Sequence, residues 1–220
     1  EDIGCVHEPD DTRCAVSTRC DPSAGCTAIA WVHDASRVYQ VDLPDGSVTP
    51  LGRVPIFGWT DIALAPNRTL YGVSSDGILY RIVEGFGEVE ELRRLPGDTV
   101  ALEVGPDGGL YSAGVESGVF RTDLETGASE LVGGLPRGWA TSGDIAFVGD
   151  RMLITVTDNP FESGGENALA AFDDGRFRIV GTSGPTCLWG IAAFGEDVYG
   201  FSCFGWVMRI YTDTGTTEFI

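Results

Sequence analysis

Lysine is absent from this chain; all 14 of its basic residues are arginines. Without lysine there is no Schiff-base nucleophile, no lysine general base and no P-loop phosphate clamp. Histidine is nearly as scarce, with His7 and His33 as the whole supply. Neither belongs to a nucleophile elbow or an oxyanion motif, so no Ser-His-Asp arrangement can be read, and a non-enzymatic role is the leading expectation. Positive charge is short overall: 14 basic against 33 acidic residues give a formal charge of −19. Nucleic acid and anionic membrane surfaces are unsuited as partners, because counterion release needs a basic patch. No apolar run reaches 18 residues, which argues against membrane insertion through a helix.

A signal-peptide pattern is also missing, since Glu1-Asp2 is not a basic n-region with an apolar stretch behind it. Cysteine, by contrast, is plentiful: six in all, with Cys5, Cys14, Cys20 and Cys26 inside the first 26 residues. An even, clustered set points to disulfides formed in an oxidising compartment, and the spacing lacks the close CxxC pairs of a zinc knuckle. The expectation is a mature secreted or cell-surface protein, or an excised part of one. Divalent cations, neutral sugars and basic partners are the ligands compatible with its acidity.

The 31 glycines and 11 prolines lie between short alternating apolar runs, as in turn-rich β proteins. Those runs repeat. The pairs Leu70-Tyr71, Leu110-Tyr111, Leu153-Ile154 and Val198-Tyr199 recur at spacings of 40, 43 and 45 residues. Upstream of each stands another short strand: Asp61-Ile-Ala-Leu, Ala101-Leu-Glu-Val, Asp144-Ile-Ala-Phe and Gly190-Ile-Ala-Ala. Two more follow, such as Leu79-Tyr-Arg-Ile and Glu91-Leu-Arg-Arg-Leu. Four short strands in about 40 residues make a propeller blade. The sequence therefore predicts an all-β, five-bladed β-propeller over 27–220 with a short disulfide-rich segment over 1–26. The first unit has strands two to four at Ala28-Ile-Ala-Trp, Arg37-Val-Tyr-Gln-Val and Val48-Thr-Pro-Leu, but nothing obvious supplies its innermost strand. Either the cysteine-rich segment packs there or a strand is missing, since a ring must close or leave an exposed edge. An open array or a distorted sandwich is the alternative.

The unit Asp144-Ile-Ala-Phe, turn, apolar pair, turn, Leu79-Tyr-Arg-Ile resembles those of NHL-like and SMP-30/gluconolactonase-like propellers, over 27–220. These families include ligand-binding modules, lactonases and adhesion proteins, so the resemblance implies architecture and not chemistry. Its lactonase branch implies a glutamate, two asparagines and an aspartate around an axial divalent metal. Asp61 and Asp144 open two inner strands, but the equivalent positions are Ala101 and Gly190, and the set is not placed. The first 26 residues, through Cys20-Asp-Pro-Ser-Ala-Gly-Cys26, resemble the end of a cysteine repeat found in secreted myxobacterial and slime-mould proteins. That resemblance implies a stalk or spacer of a larger surface assembly.

In a propeller the blade-to-blade connections share a face with the hairpins between second and third strands. Trp59, Trp139 and Trp189 fall in those connections, next to Asp61 and Asp144. Together they predict an aromatic, partly acidic mouth for a saccharide, a peptide or a neighbouring subunit, unless the indoles wedge between blades instead. The same face gains an enlarged hairpin, Asn159-Pro-Phe-Glu-Ser-Gly-Gly-Glu-Asn167, and brings Cys187 close enough to Cys203 to pair. Two metals enter the reading. Trp31-Val-His33 resembles the Trp-x-His step of methanotroph copper-binding surface proteins, with His7 as the only second imidazole. Calcium is the other, with Asp107, Asp150, Asp173 and Asp174 as oxygen ligands in turns, although no EF-hand pattern is present and turn formation is the favoured explanation of them.

Overall fold

The computed structural model describes residues 18–21, 25–43, 46–83, 87–115, 118–160, 165–184 and 187–220, with backbone alone in 18–21 and 25–27. Twenty strands form five antiparallel four-stranded sheets, each built from four consecutive strands. Blade 1 is β1 (Thr18–Asp21), β2 (Gly25–His33), β3 (Arg37–Asp42) and β4 (Val48–Arg53). Blade 2 is β5 (Trp59–Leu64), β6 (Leu70–Ser74), β7 (Ile78–Ile82) and β8 (Val89–Arg94). Blade 3 is β9 (Thr99–Val104), β10 (Leu110–Gly114), β11 (Gly118–Thr122) and β12 (Ser129–Gly133). Blade 4 is β13 (Ala140–Val148), β14 (Arg151–Thr157), β15 (Asn167–Asp173) and β16 (Arg176–Gly184). Blade 5 is β17 (Leu188–Phe194), β18 (Asp197–Ser202), β19 (Val207–Ile210) and β20 (Thr217–Phe219). No helix occurs among the described residues, and none is long and apolar enough to cross a membrane.

Alternation along each strand sends one set of side chains to the preceding blade and the other to the following one. The core is therefore five slabs, one per junction. Leu79, Leu102 and Leu110 meet between blades 2 and 3; Leu153, Leu169 and Met208 meet between blades 4 and 5. Val38, Ile56, Trp59 and Leu70 fill the junction of blades 1 and 2, and Ala101, Val119, Ile145 and Ile154 fill that of blades 3 and 4. The fifth slab closes the ring: Ala28, Ala30, Val41 and Leu43 of blade 1 pack on Ala192, Phe194, Tyr199 and Phe201 of blade 5. Each fully buried leucine contributes about 2 kcal/mol of transfer free energy. A glycine serves the hairpin opening β11: Gly118 has φ 81°, and a Cβ there would lie 2.6 Å from the Gly133 carbonyl oxygen.

The innermost strand of the first unit comes from the cysteine-rich segment, the first of the two alternatives that the sequence leaves open. β1 supplies it, pairing Thr18 with Ala28 and Asp21 with Gly25, so the end of the cysteine-rich segment is part of the ring. It escaped notice because Thr18-Arg-Cys-Asp21 carries none of the Asp-Ile-Ala pattern of the other inner strands. Cys20 and Cys26 are cross-strand backbone partners in that hairpin, while Cys5, Cys14 and His7 lie outside the described residues.

Candidate ligand-binding mouth

All five inner strands begin on one face of the ring, here called the upper face. Four of them, β5, β9, β13 and β17, together with β2 surround a channel-like cavity of about 1060 Å³ that opens there and reaches Pro106 and Gly149 in the turns of the opposite face. Its walls include Trp31, Trp59, Phe147, Trp189 and Phe201, and its carboxylates are Asp34, Asp61, Glu103 and Asp144. No arginine lines it among the described residues.

Two aspartates tie blades together. Asp61 of blade 2 accepts from its neighbour Ile62 N at 2.8 Å and, across the junction, from Leu102 N at 2.6 Å. Asp144 of blade 4 repeats this with Ile145 N and Ile191 N, both at 2.7 Å. A hydroxyl stands at each clasp: Ser142 Oγ donates to Leu188 O at 3.0 Å, and Thr60 Oγ1 is within reach of both Val73 O in its own blade at 3.3 Å and Thr99 O across the junction at 3.4 Å. In both cases the hydroxyl reaches a carbonyl three residues before the amide that the carboxylate holds. Gly143 lets the two strands close, since a Cβ there would lie 2.4 Å from Trp189 O.

Among the described residues no arginine lines the cavity beside these carboxyls. Burial pushes Asp61 well above the usual carboxylate range, and the nearby Asp144 and Glu103 charges push it further. Glu103 is raised to about 8 by burial and by Asp144, its Oε1 held by its own neighbour Val104 N at 2.7 Å. Asp144 is also raised to about 8, chiefly by burial, against the pull of its two amide donors. Like charges confined together in a poorly solvated space resist joint ionisation.

The three tryptophans occupy three different registers. Trp59 is 5% exposed, packs in the slab between blades 1 and 2, and donates from Nε1 to Asp34 O at 2.5 Å. Trp189 is 60% exposed on the rim. A β-bulge explains the contrast. The register slips between Trp59 and Asp61, and again between Leu188 and Gly190, so Trp189 corresponds to the bulged Thr60 and the buried Leu188 to Trp59. Trp139 precedes β13, packs against the slab between blades 3 and 4, and stands outside the channel lining.

Other candidates fall as follows. Cys187 and Cys203 form a disulfide, Cα to Cα 5.6 Å, with Cys203 N donating to Cys187 O at 3.0 Å. From the enlarged hairpin, Asn159, Pro160, Gly165 and Asn167 line the mouth. Trp31 and His33 also line it, with the His33 ring 4.5 Å from that of Trp59. Burial is the main cause that lowers the pKa of His33. The acidic turns are engaged elsewhere: Asp107 with Arg121 Nε at 2.6 Å, Asp173 with Arg151 at 3.4 Å and Asp174 with Arg178 at 3.5 Å. Asp150 is exposed in the β13–β14 turn. No group of three histidine, cysteine, aspartate or glutamate side chains is placed to hold a metal among the described residues. Sequence reasoning missed Glu103 and Phe201; the one available signal for Glu103 was a charge inside the otherwise apolar Ala101-Leu-Glu-Val strand.

No family model and no curated protein matches the chain. Solved structures do match in fold. A gluconolactonase from Xanthomonas campestris is 18% identical with a TM-score of 0.59, over 88% of this chain and 71% of that one. An auxiliary nutrient binding protein from Bacteroides thetaiotaomicron is 15% identical with a TM-score of 0.59, over 93% of this chain and 56% of that one. A chain of a nidogen/laminin complex is 13% identical with a TM-score of 0.55, over 84% and 70%. These likenesses agree with the propeller architecture and extend no further, and the cysteine-repeat resemblance of residues 1–26 finds no support among them.

Proposed function

We propose that this chain is a non-catalytic recognition module of an exported or cell-surface protein, taking its ligand at the upper mouth of the central channel. One observation carries the reading: a cavity of about 1060 Å³ combines carboxylates with aromatic walls and has no arginine in its lining. Saccharide, peptide and subunit ligands all fit that description, because aromatic faces stack and carboxylates take hydrogen bonds or positive charge. The nutrient-binding and laminin-complex neighbours favour binding over turnover. Thermal-shift and array measurements with purified protein test it. A ligand that raises Tm in the wild type and fails to do so in Trp189→Ala supports the mouth as the site. A ligand equally effective in both places the site elsewhere.

The second reading is a metal-dependent lactonase, favoured by the gluconolactonase neighbour and by the presence of Glu103, Asn159, Asn167 and Asp144 in one lining. Composition matches the set that the resemblance implies, but the donors do not fit a metal. Both Asp144 oxygens already accept backbone N–H groups, and no group of three histidine, cysteine, aspartate or glutamate side chains is placed to hold a metal among the described residues. Elemental analysis of untreated protein, with lactone hydrolysis measured with and without added divalent ions, decides between the readings. Stoichiometric metal with turnover would replace the recognition module by the hydrolase.

A further inference from the structure

The two faces of the ring differ in what they expose. On the lower face the turns are mostly polar, built from residues such as Asn67, Asp107, Asp150 and Glu196, with Val83 and Tyr211 as its partly exposed large apolar side chains among the described residues. The upper face instead exposes Phe57 (99%), Trp189 (60%), Phe204 (57%) and Trp206 (47%). Large aromatic groups left in solvent on one face, beside a cavity, mark a surface meant to be covered.

Two of these rings, joined by Phe219, form one continuous group on blade 5. Phe204 and Trp206 lie 5.1 Å apart between centroids, and Phe219 of the outer strand meets Trp206 edge-on at 5.3 Å. The Cys187–Cys203 disulfide joins the loop that leads into Trp189 to the hairpin that carries Phe204. Trp206 N and Phe204 N are both held by Ser202 Oγ, at 3.0 and 3.2 Å. The hairpin is thus fixed before any partner arrives, which lowers the ordering penalty of binding.

Charge names the occupant. Beside this group the channel is lined by Asp34, Asp61, Glu103 and Asp144, and no arginine lines it among the described residues. We infer that Trp189 together with the ring group of Phe204, Trp206 and Phe219 docks an extended protein segment whose arginine or lysine side chain enters the acidic mouth. This rests on the mouth being the recognition site and adds the class of partner. Guanidinium and ammonium groups stack on indole faces and pair with carboxylates, so one basic side chain satisfies rim and cavity together.

The test uses a fluorescent Gly-Arg-Ala-Arg-Gly peptide, its citrulline analogue and a panel of neutral oligosaccharides, measured by anisotropy and thermal shift at low salt. The arginine peptide is expected to bind at least about tenfold more tightly than the uncharged analogue. Trp189→Ser combined with Phe204→Ser is expected to weaken it at least about fivefold without lowering Tm, both rings being exposed. Asp150→Asn combined with Asp213→Asn, on the lower face, should leave affinity within about twofold. Unchanged affinity in the Trp189/Phe204 variant, or an equal loss in the lower-face variant, would mean diffuse attraction to an acidic protein and overturn the inference. Oligosaccharide binding that depends on Trp189, with no peptide binding, overturns the inference and leaves the recognition reading standing. Failure of both probes overturns both.

Discussion

The junctions between blades 2 and 3 and between blades 4 and 5 are held differently from the one that closes the ring. The former pair a slab of large aliphatic side chains with a hydroxyl and a carboxylate that cross to the next inner strand. At the closing junction, the buried contacts of blade 1 among the described residues are apolar, and two of them are the small Ala28 and Ala30. The polar clasp fixes register, because a slip of one residue would carry Leu102 N or Ile191 N away from its carboxylate. Apolar packing alone fixes proximity and is softer, so the seam is where the ring opens first.

Breaking the seam should have the largest effect. Leu43→Ala removes a residue 5% exposed in the closing slab and is expected to lower stability by about 3 kcal/mol. Native-state hydrogen exchange checks the location of the loss: amides of β2 and β3 should speed up while those of β9 and β13 keep their protection. Uniform loss across all blades would mean that the seam is no weaker than the clasped junctions.

Removing a clasp comes next. Asp144→Ala leaves Ile191 N without its acceptor and is expected to cost about 2 kcal/mol in chemical denaturation at pH 5. The loss should shrink at pH 9. Asp144 has a folded-state pKa raised to about 8, so its contribution is full below the unfolded value and fades as pH rises through the folded one. A loss that grows with pH would reverse the sign and refute the electrostatic account of the channel.

Glu103→Gln is a smaller change in the same place. It keeps an oxygen for Val104 N and removes a charge that burial and Asp144 disfavour. By the same sign, the variant should match the wild type near pH 5 and exceed it by about 1 kcal/mol at pH 9, read as a Tm gain of a few degrees. Affinity for the arginine peptide should in turn strengthen between pH 6 and pH 9. Glu103 and Asp144, both raised to about 8, ionise more fully over that range, Asp34 is already ionised because Tyr39 holds its pKa down, and burial keeps His33 from charging. An affinity that is flat with pH would separate binding from these carboxyls.

Much of this was legible in the chain. Repeat spacing gave five blades, the enlarged hairpin at Asn159–Asn167 was placed at the mouth, and Cys187 was matched with Cys203 from position in the unit alone. The clasps were not legible in the same way. Thr60-Asp61 and Ser142-Gly-Asp144 are similar dipoles of sequence, but their partners lie 41 and 47 residues further on. Periodicity says that two inner strands are neighbours, not how far one slides along the other. The tryptophans show the limit from the other side: both strands bulge at the same place, and Trp59 stands just before the bulge and is buried, whereas Trp189 is the bulged residue and is exposed.

By itself the sequence determined local matters: strand length, turn position, blade number, and an excess of negative charge with no lysine to answer it. Those follow from alternation and from turn chemistry within a few residues. Tertiary structure alone decided that Asp61, Glu103 and Asp144 share one channel, that Thr18–Asp21 completes the first blade, and that exposed rings gather on one face. Each depends on closing the ring, which sets residues far apart in the chain side by side around a common axis.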